Sequence, residues 1–167
     1  IIGVNAQSDI VARMVERFES DGADVVVAFE EVAREEVVRY GIARPASDTD
    51  VPDIFDLADL IEKPSVEEAP SRLAVAARYV LSPRIFDALS TTEPGTGGEI
   101  QLTDAIRSVL ADGGRGIGIR LGPDERRFDI GNFGSYFLAF TEFALADPRY
   151  GEGLRRELGR LLDDGDS

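Results

Sequence analysis

The feature that most constrains this chain is the run Val25-Val26-Val27-Ala28-Phe29, five apolar residues without a break, three of them β-branched. A strand with one wet face alternates apolar and polar side chains, so an unbroken run predicts a strand covered on both faces. Just upstream, residues 8–21 carry Ile10, Val11, Met14, Val15 and Phe18 at helical spacing, with Ser8 as N-cap and Gly22 as the stop. A helix feeding a doubly covered strand is the second half of a β-α-β unit, which predicts an α/β fold. The opening Ile1-Ile2-Gly3-Val4 reads as the tail of a strand already under way. The expectation is therefore one domain whose N-terminal portion is missing.

Downstream, residues 30–38 are acidic and weakly helical, and Tyr40-Gly41-Ile42 begins a short strand. A polar loop over 45–52 precedes residues 54–62, which alternate apolar and acidic and run into Pro64, as a strand does. Residues 73–81 predict another covered strand with Arg78 inside it, and Pro83 opens a short helix. Pro94-Gly95-Thr96-Gly97-Gly98 fits no phosphate-loop pattern and reads as a connection. Thr103 is placed to cap a helix that turns Ile106, Val109 and Leu110 inward, residues 115–121 read as a strand, and 128–131 as a short extended piece. Phe133, Tyr136, Phe137, Phe140 and Phe143 predict a strongly amphipathic aromatic helix ended by Pro148. Leu154, Leu158, Leu161 and Leu162 mark one side of a last helix.

Composition narrows the chemistry. Acidic residues number 32 against 18 basic, a net charge of −14, which argues against nucleic acid and against an anionic membrane surface as partners. No apolar run approaches the roughly 20 residues of a membrane span, and the expected location is the cytoplasm. The chain holds no cysteine and no histidine, so carboxylates, hydroxyls, arginine, lysine, backbone amides or a hard metal ion must do any work. Of the 18 basic residues 17 are arginine; Lys63 is the exception, a compact point charge among planar forks.

Two places could use that chemistry. Glu62-Lys63-Pro64 closes a predicted strand, where ligands of α/β sheets tend to sit, and a Glu-Lys pair at a strand end is equally ordinary surface decoration. Asp129, between Phe128 and Ile130 just before the aromatic helix, could ligate Mg²⁺ or simply cap that helix. Gly41 after Tyr40 allows a close backbone approach or merely a turn. Arg126-Arg127 reads as neutralising nearby carboxylates, and the aromatic stripe as core or subunit contact.

A series of short stretches then falls in order: Glu30-Glu31-Val32, Arg39-Tyr40-Gly41-Ile42, Glu62-Lys63-Pro64 with Glu67-Glu68-Ala69-Pro70-Ser71, and Leu73-Ala74-Val75 with Arg78-Tyr79-Val80-Leu81. Gly97-Gly98-Glu99-Ile100-Gln101-Leu102-Thr103-Asp104-Ala105, Phe128-Asp129-Ile130-Gly131-Asn132 and the stretch Phe140 to Leu145 complete it. Together they resemble the C-terminal part of the bacterial UTP–glucose-1-phosphate uridylyltransferases, from about residue 24 to residue 150. The resemblance implies a Rossmann-like nucleotidyltransferase fold, a mixed sheet flanked by helices, with residues 1–150 as the sugar-phosphate side of that domain and 151–167 as a C-terminal helix and tail. It implies UTP and glucose 1-phosphate as substrates, UDP-glucose and pyrophosphate as products, and Mg²⁺ as cofactor. Lys63 would contact the sugar phosphate as a desolvated charge, Glu62 the glucose hydroxyls, Gly41 and the backbone near Val75 would line the sugar pocket, and Asp129 would be a metal ligand. Residues 99–104 would order the scaffold more than touch substrate.

The family usually has asparagine where Arg72 stands and glycine where Ala77 stands. Its nucleotide-reading half would precede Ile1, so the chain by itself is expected to show little or no turnover. Self-association through the C-terminal helices is expected. The alternatives are a non-catalytic sugar-phosphate-binding or oligomerisation module, and an enzyme that uses dTTP in place of UTP.

Overall fold

The computed structural model describes residues 2–3, 8–47, 51–95, 98–128 and 130–164. In chain order the elements are β1 (Ile2–Gly3), α1 (Ile10–Ser20), β2 (Val25–Glu31), a 3₁₀ turn (Arg34–Arg39), β3 (Gly41–Pro45), β4 (Ile54–Glu62) and β5 (Leu73–Leu81). They continue with α2 (Arg84–Thr91), α3 (Leu102–Ala111), β6 (Gly116–Arg120), β7 (Glu125–Arg126), α4 (Phe133–Ala146) and α5 (Gly151–Asp164). Two compact units result, Asp9–Gly122 and a smaller one made of Ile1–Ser8 with Pro123–Ser167.

The larger unit is built on β2. Val25 through Phe29 are fully buried, as the unbroken apolar run predicts. Val25, Val27 and Phe29 join a core with Phe55, Leu57 and Leu60 of β4, Leu73 and Val75 of β5, Ile85 of α2, and Ile106 and Val109 of α3. Val26 and Ala28 lie on the opposite face, because successive strand side chains alternate, and α1 packs on that side with Ile10 and Met14 buried. The sheet is mixed and closes on itself: the strands pair in the order β2-β5-β3-β4-β6, and β6 returns to β2. Only the β2–β6 pair is parallel; the other four are antiparallel. Within the chain the parallel partner of β2 is β6, which follows α3. Asp24 fastens this junction. Its carboxylate accepts from Ser82 Oγ at 2.9 Å, from Arg84 Nη1 at 3.1 Å and from the Arg115 amide at 3.2 Å, tying the start of β2 to the ends of β5, α2 and β6.

Several local expectations are revised. Ser8 does not cap α1; Asp9 stands at the N-cap position without a side-chain cap, its carboxylate taken by Arg13 Nε at 2.7 Å, while the Ser8 hydroxyl donates to Glu125. Strand β5 is covered over Leu73–Ala76 only, and Ala77 and Arg78 are exposed. The reason is a bulge: Val27 pairs with Tyr79 and Phe29 with Val75, so three residues of β5 face Ala28 alone. Ala77 absorbs the excess at a φ of 52°, left-handed backbone that a residue with a Cβ rarely adopts.

The smaller unit pairs β1 with β7 and packs α4 against α5. Asn132 caps α4, accepting from the Ser135 amide at 3.0 Å, which fills the capping role weighed for Asp129. The helix is not an amphipathic stripe: apolar residues surround it, Ala139 is its buried residue, and Phe133 is 80 % exposed, with Phe137, Leu138 and Phe140 exposed as well. At the turn into α5 the Asp147 carboxylate accepts from the amides of Arg149 and Tyr150 at 2.8 and 2.9 Å. Gly151 then sits so close that a Cβ would stand 2.3 Å from the Leu145 carbonyl oxygen, so no other residue fits there without movement. Arg126 meets Glu142 at 2.8 Å, the neutralising role expected of it.

The left-handed Ala77 makes a direct prediction. Ala77→Gly removes a backbone penalty of ~1–2 kcal/mol and adds back less than that in unfolded-chain entropy. The net expectation is a gain of about 0.5–1 kcal/mol in urea unfolding; unchanged or lower stability would refute it.

Candidate functional site

The ends of β3 and β4 form the site. Gly41 pairs with Glu62 across that ladder, Ile61 pairs with Ile42, and the Lys63 amide donates to the Tyr40 carbonyl at 3.0 Å. Gly41 is buried, and the place its Cβ would occupy is bounded by Thr103 Cγ2 at 3.1 Å, Glu62 Oε2 at 3.2 Å and Val75 Cγ2 at 3.3 Å. A side chain there would press on all three. Without one, the bare Gly41 backbone leaves a small cradle edged by the Glu62 carboxylate and walled by two methyl groups. The fold thus gathers Gly41, Glu62 and Val75, three of the residues singled out from sequence, from three separate strands.

Lys63 follows directly, with Nζ 3.8 Å from Glu62 Oε1. Its backbone is left-handed, φ 44°, and among the described residues it shares that with Ala77 as the two non-glycine examples. Strain of this kind costs about 1–3 kcal/mol and tends to collect at functional positions. Here the left-handed turn ends β4 and presents the ammonium beside Glu62. The Lys63 side chain is 61 % exposed, and its pairing with Glu62 is a surface interaction of low energy. Lys63, Glu62, Gln101, Asp104 and Arg107 line a cleft of about 380 Å³. Arg107 spans Asp59 at 3.0 Å and Asp104 at 3.9 Å, so this margin holds two cations and three carboxylates.

Two residues at the site were not given a functional role from sequence. Burial pushes the Tyr79 phenol above its ordinary range, and the Glu62 carboxylate adds to the shift. Thr103 lies in the first turn of α3, after Gln101 at the N-cap, so it does not cap the helix; it is buried against Gly41. Its sequence signal was present in the stretch from Gly98 to Ala105, but burial depends on how α3 docks and cannot be read locally.

Asp129 lies outside the described residues, and among the described residues no three carboxylates gather into a metal shell. A larger cleft, about 510 Å³, opens where Arg72 and Arg120 share Glu31, with Arg120 at 2.6 Å. Each guanidinium there is already paired. Among the described residues no helix is long and apolar enough to cross a membrane.

A family model described as nucleotidyl transferase matches residues 5–144. A UTP–glucose-1-phosphate uridylyltransferase of Pseudomonas aeruginosa is 38% identical over 136 residues, covering 81% of this chain and 47% of its own length. One from Bacillus subtilis is 41% identical over 139 residues, 83% of this chain and 44% of its own. Among solved structures, a UDP-glucose pyrophosphorylase complexed with UDP-glucose superposes with a TM-score of 0.68 at 38% identity, over 78% of this chain and 47% of that one. A UTP-bound UGPase from Acinetobacter baumannii gives 0.76 at 32% identity, over 91% and 50%. The chain spans about half the length of the relatives it matches. The mixed sheet with flanking helices predicted from sequence agrees with these structures.

Two measurements check the site's geometry. Gly41→Ala forces a methyl group against Thr103, Glu62 and Val75 and should cost about 1–3 kcal/mol in urea unfolding, the usual range for overpacking. A variant as stable as the parent would mean the cradle is open space. Tyr79 gives a pH signature. With its folded pKa raised above 10.0, the unfolded chain releases the phenolic proton first, so Tyr79 takes nothing from stability below about pH 10 and lowers it as pH rises beyond. Tyr79→Phe should flatten that alkaline fall; an identical pH dependence in both proteins would contradict it.

Proposed function

Because the chain belongs to the nucleotidyl transferase family, we propose that it carries the sugar-phosphate side of a site joining UTP and glucose 1-phosphate into UDP-glucose. In that reaction an oxygen of the sugar phosphate attacks the α-phosphorus of UTP, the bond to the β-phosphate breaks, and pyrophosphate leaves. The observation that carries the reading is the Gly41 cradle with Glu62 Oε2 at its edge and Lys63 next in sequence. Glu62 accepts hydrogen bonds from sugar hydroxyls, the bare Gly41 backbone and the Val75 methyl wall admit the ring edge, and the Lys63 ammonium meets the phosphate. The work of these residues is to position the sugar phosphate and offset its charge, which is what phosphoryl-type transfer mainly asks of a protein. The names of the relatives support UTP and glucose 1-phosphate as the pair.

Asp129 is assigned as one ligand of a Mg²⁺ ion, the divalent charge that such transfers draw on; one carboxylate with phosphate oxygens suits that ion. The location proposed is the cytoplasm. A second reading, which can hold together with the first, is self-association through α4 and α5. It is favoured by the exposed Phe133, Phe137, Phe140, Leu161 and Leu162, since a helix apolar on all sides is ordinarily covered. Light scattering with Phe137→Asp tests it: a monomer at all concentrations before substitution would end this second reading.

The principal test is calorimetric titration of UDP-glucose with Mg²⁺ into the chain and into Lys63→Arg. Arginine keeps the charge and loses the compact ammonium, so binding should weaken about tenfold or more. Absence of binding to the folded parent, or equal affinity in the variant, would overturn the assignment of Lys63 to the phosphate.

A further inference from the structure

The carboxyl ends of β2 and β6 bring two arginines onto one carboxylate. Glu31 is the last residue of β2 and Arg120 the last of β6, while Arg72 stands just before β5, whose Leu73 pairs with Glu31. Arg72 Nη2 donates to Glu31 Oε1, and Arg120 Nη2 donates to Glu31 Oε2 at 2.6 Å. The three line the cleft of about 510 Å³, with Pro45, Val51 and Pro70 as an apolar wall. β2 and β6 run parallel, and ligands of α/β sheets tend to sit beyond the carboxyl ends of such strands. Pro45 ends β3 at the side remote from Gly41, roughly 13 Å along the strand, so this cleft lies apart from Glu62 and Lys63.

Charge and geometry select the occupant. Among the described residues lining the cleft, the charges are two guanidiniums and one carboxylate, a local positive surplus on a chain of net charge −14. Among the described residues the Arg72 guanidinium meets Glu31 alone, and with its side chain 58 % exposed most of its N–H donors face solvent. The backbone beneath both arginines is fixed. Ser71 Oγ donates to the Ala43 carbonyl at 2.6 Å and accepts from the Leu73 amide at 3.1 Å, and the Arg72 carbonyl accepts from the Val32 amide at 3.0 Å. The Arg120 amide donates to the Asp53 carbonyl at 2.7 Å, and its Nη1 to the Val51 carbonyl at 3.2 Å. Planar forks held on a fixed backbone suit phosphate, whose oxygens accept paired N–H bonds from arginine. With Glu31 turned towards solvent, a phosphate dianion would balance both guanidiniums.

We propose that Arg72 and Arg120 form a phosphate-binding site that takes inorganic phosphate or a phosphate monoester, with Glu31 as the carboxylate the ligand displaces. Glu31 holds the two forks in place while the site is empty and competes with the incoming anion. The site uses neither Gly41 nor Lys63, so it stands or falls independently of the sugar-phosphate reading.

The test titrates inorganic phosphate and glycerol 1-phosphate, at fixed ionic strength, into the isotope-labelled parent, Arg72→Asn, Glu31→Gln and Lys63→Ala, read by amide chemical shifts. In the parent, saturable shifts should centre on the amides of Arg72, Leu73 and Arg120. Arg72→Asn places at an exposed position the residue usual in the resembling family; it should fold and bind about tenfold more weakly, the effect of one lost charge-assisted pair. Glu31→Gln removes the competing anion and should bind about tenfold more tightly, the opposite of what a purely structural ion pair would give. Lys63→Ala should leave these shifts in place. Tighter binding of the ester than of inorganic phosphate identifies an organic phosphate as the occupant, and equal or weaker binding of the ester identifies free phosphate. No saturable shift at these amides in the parent, parent-like affinity in Arg72→Asn, or loss of the shifts in Lys63→Ala would overturn the proposal. Unchanged or weaker binding in a folded Glu31→Gln would overturn it too, and Arg72→Asn decides alone if that variant fails to fold.

Discussion

Everything in the larger unit depends on β2 being dry on both faces. Once Val25 through Phe29 exclude water, every peptide group of that strand must find a partner within the protein, and β5 on one edge and β6 on the other supply them. One partner is antiparallel and the other parallel: β5 pairs with β2 directly, and the chain then passes through α2 and α3 before β6 closes the other edge. Asp24 then locks the entry, with three donors from three later segments meeting on one carboxylate. The candidate site is a by-product of this closure: β3 and β4 are brought round so that Gly41 and Glu62 face one another, with α3 laid across them.

How much of this was legible in the sequence varied with how local its cause is. β4 has the bounds that alternation and Pro64 predict, because period two and a proline are written in the residues themselves. β2 was legible for the same reason. The bulge in β5 was not, since Ala77 gives no sign of a left-handed backbone, and the glycine usual there in the resembling family was the only clue. α4 was misread because its aromatic residues fall at helical spacing while Leu138, Ala139 and Ala144 fill the remaining sides, a pattern that counting one face does not expose. At the site, Glu62-Lys63 and Gly41 were visible as motifs, yet Tyr79 and Thr103 were not visible as neighbours of Glu62. Their place there follows from strand pairing and from the docking of a helix, both long-range.

The charge of the chain sets the terms on which the proposed site would meet polyanions. At −14 the molecule repels phosphates at a distance, and salt screens that repulsion beyond roughly 10 Å. Affinity must therefore come from short-range geometry. The exposed Lys63 is suited to that: its position is set by a constrained backbone at the end of a strand while its ammonium stays hydrated until a ligand arrives. Glu62 beside it offsets that charge in the meantime, and in the proposed site the same carboxylate would turn to a hydroxyl when the lysine meets a phosphate.

The ring of strands is uneven in a way that matters for motion. β2 is held to β5 by six paired positions and to β6 by five, whereas β3 meets β5 at the single pair Ile42–Ala74. Protein segments open locally where the fewest hydrogen bonds must break. Amides along the β3–β5 seam should therefore exchange with solvent deuterium ahead of those of β2, and the opening would part Gly41 and Glu62 from Val75. The candidate site thus lies along the fold's natural parting line, with the dry strand beneath it held on both edges.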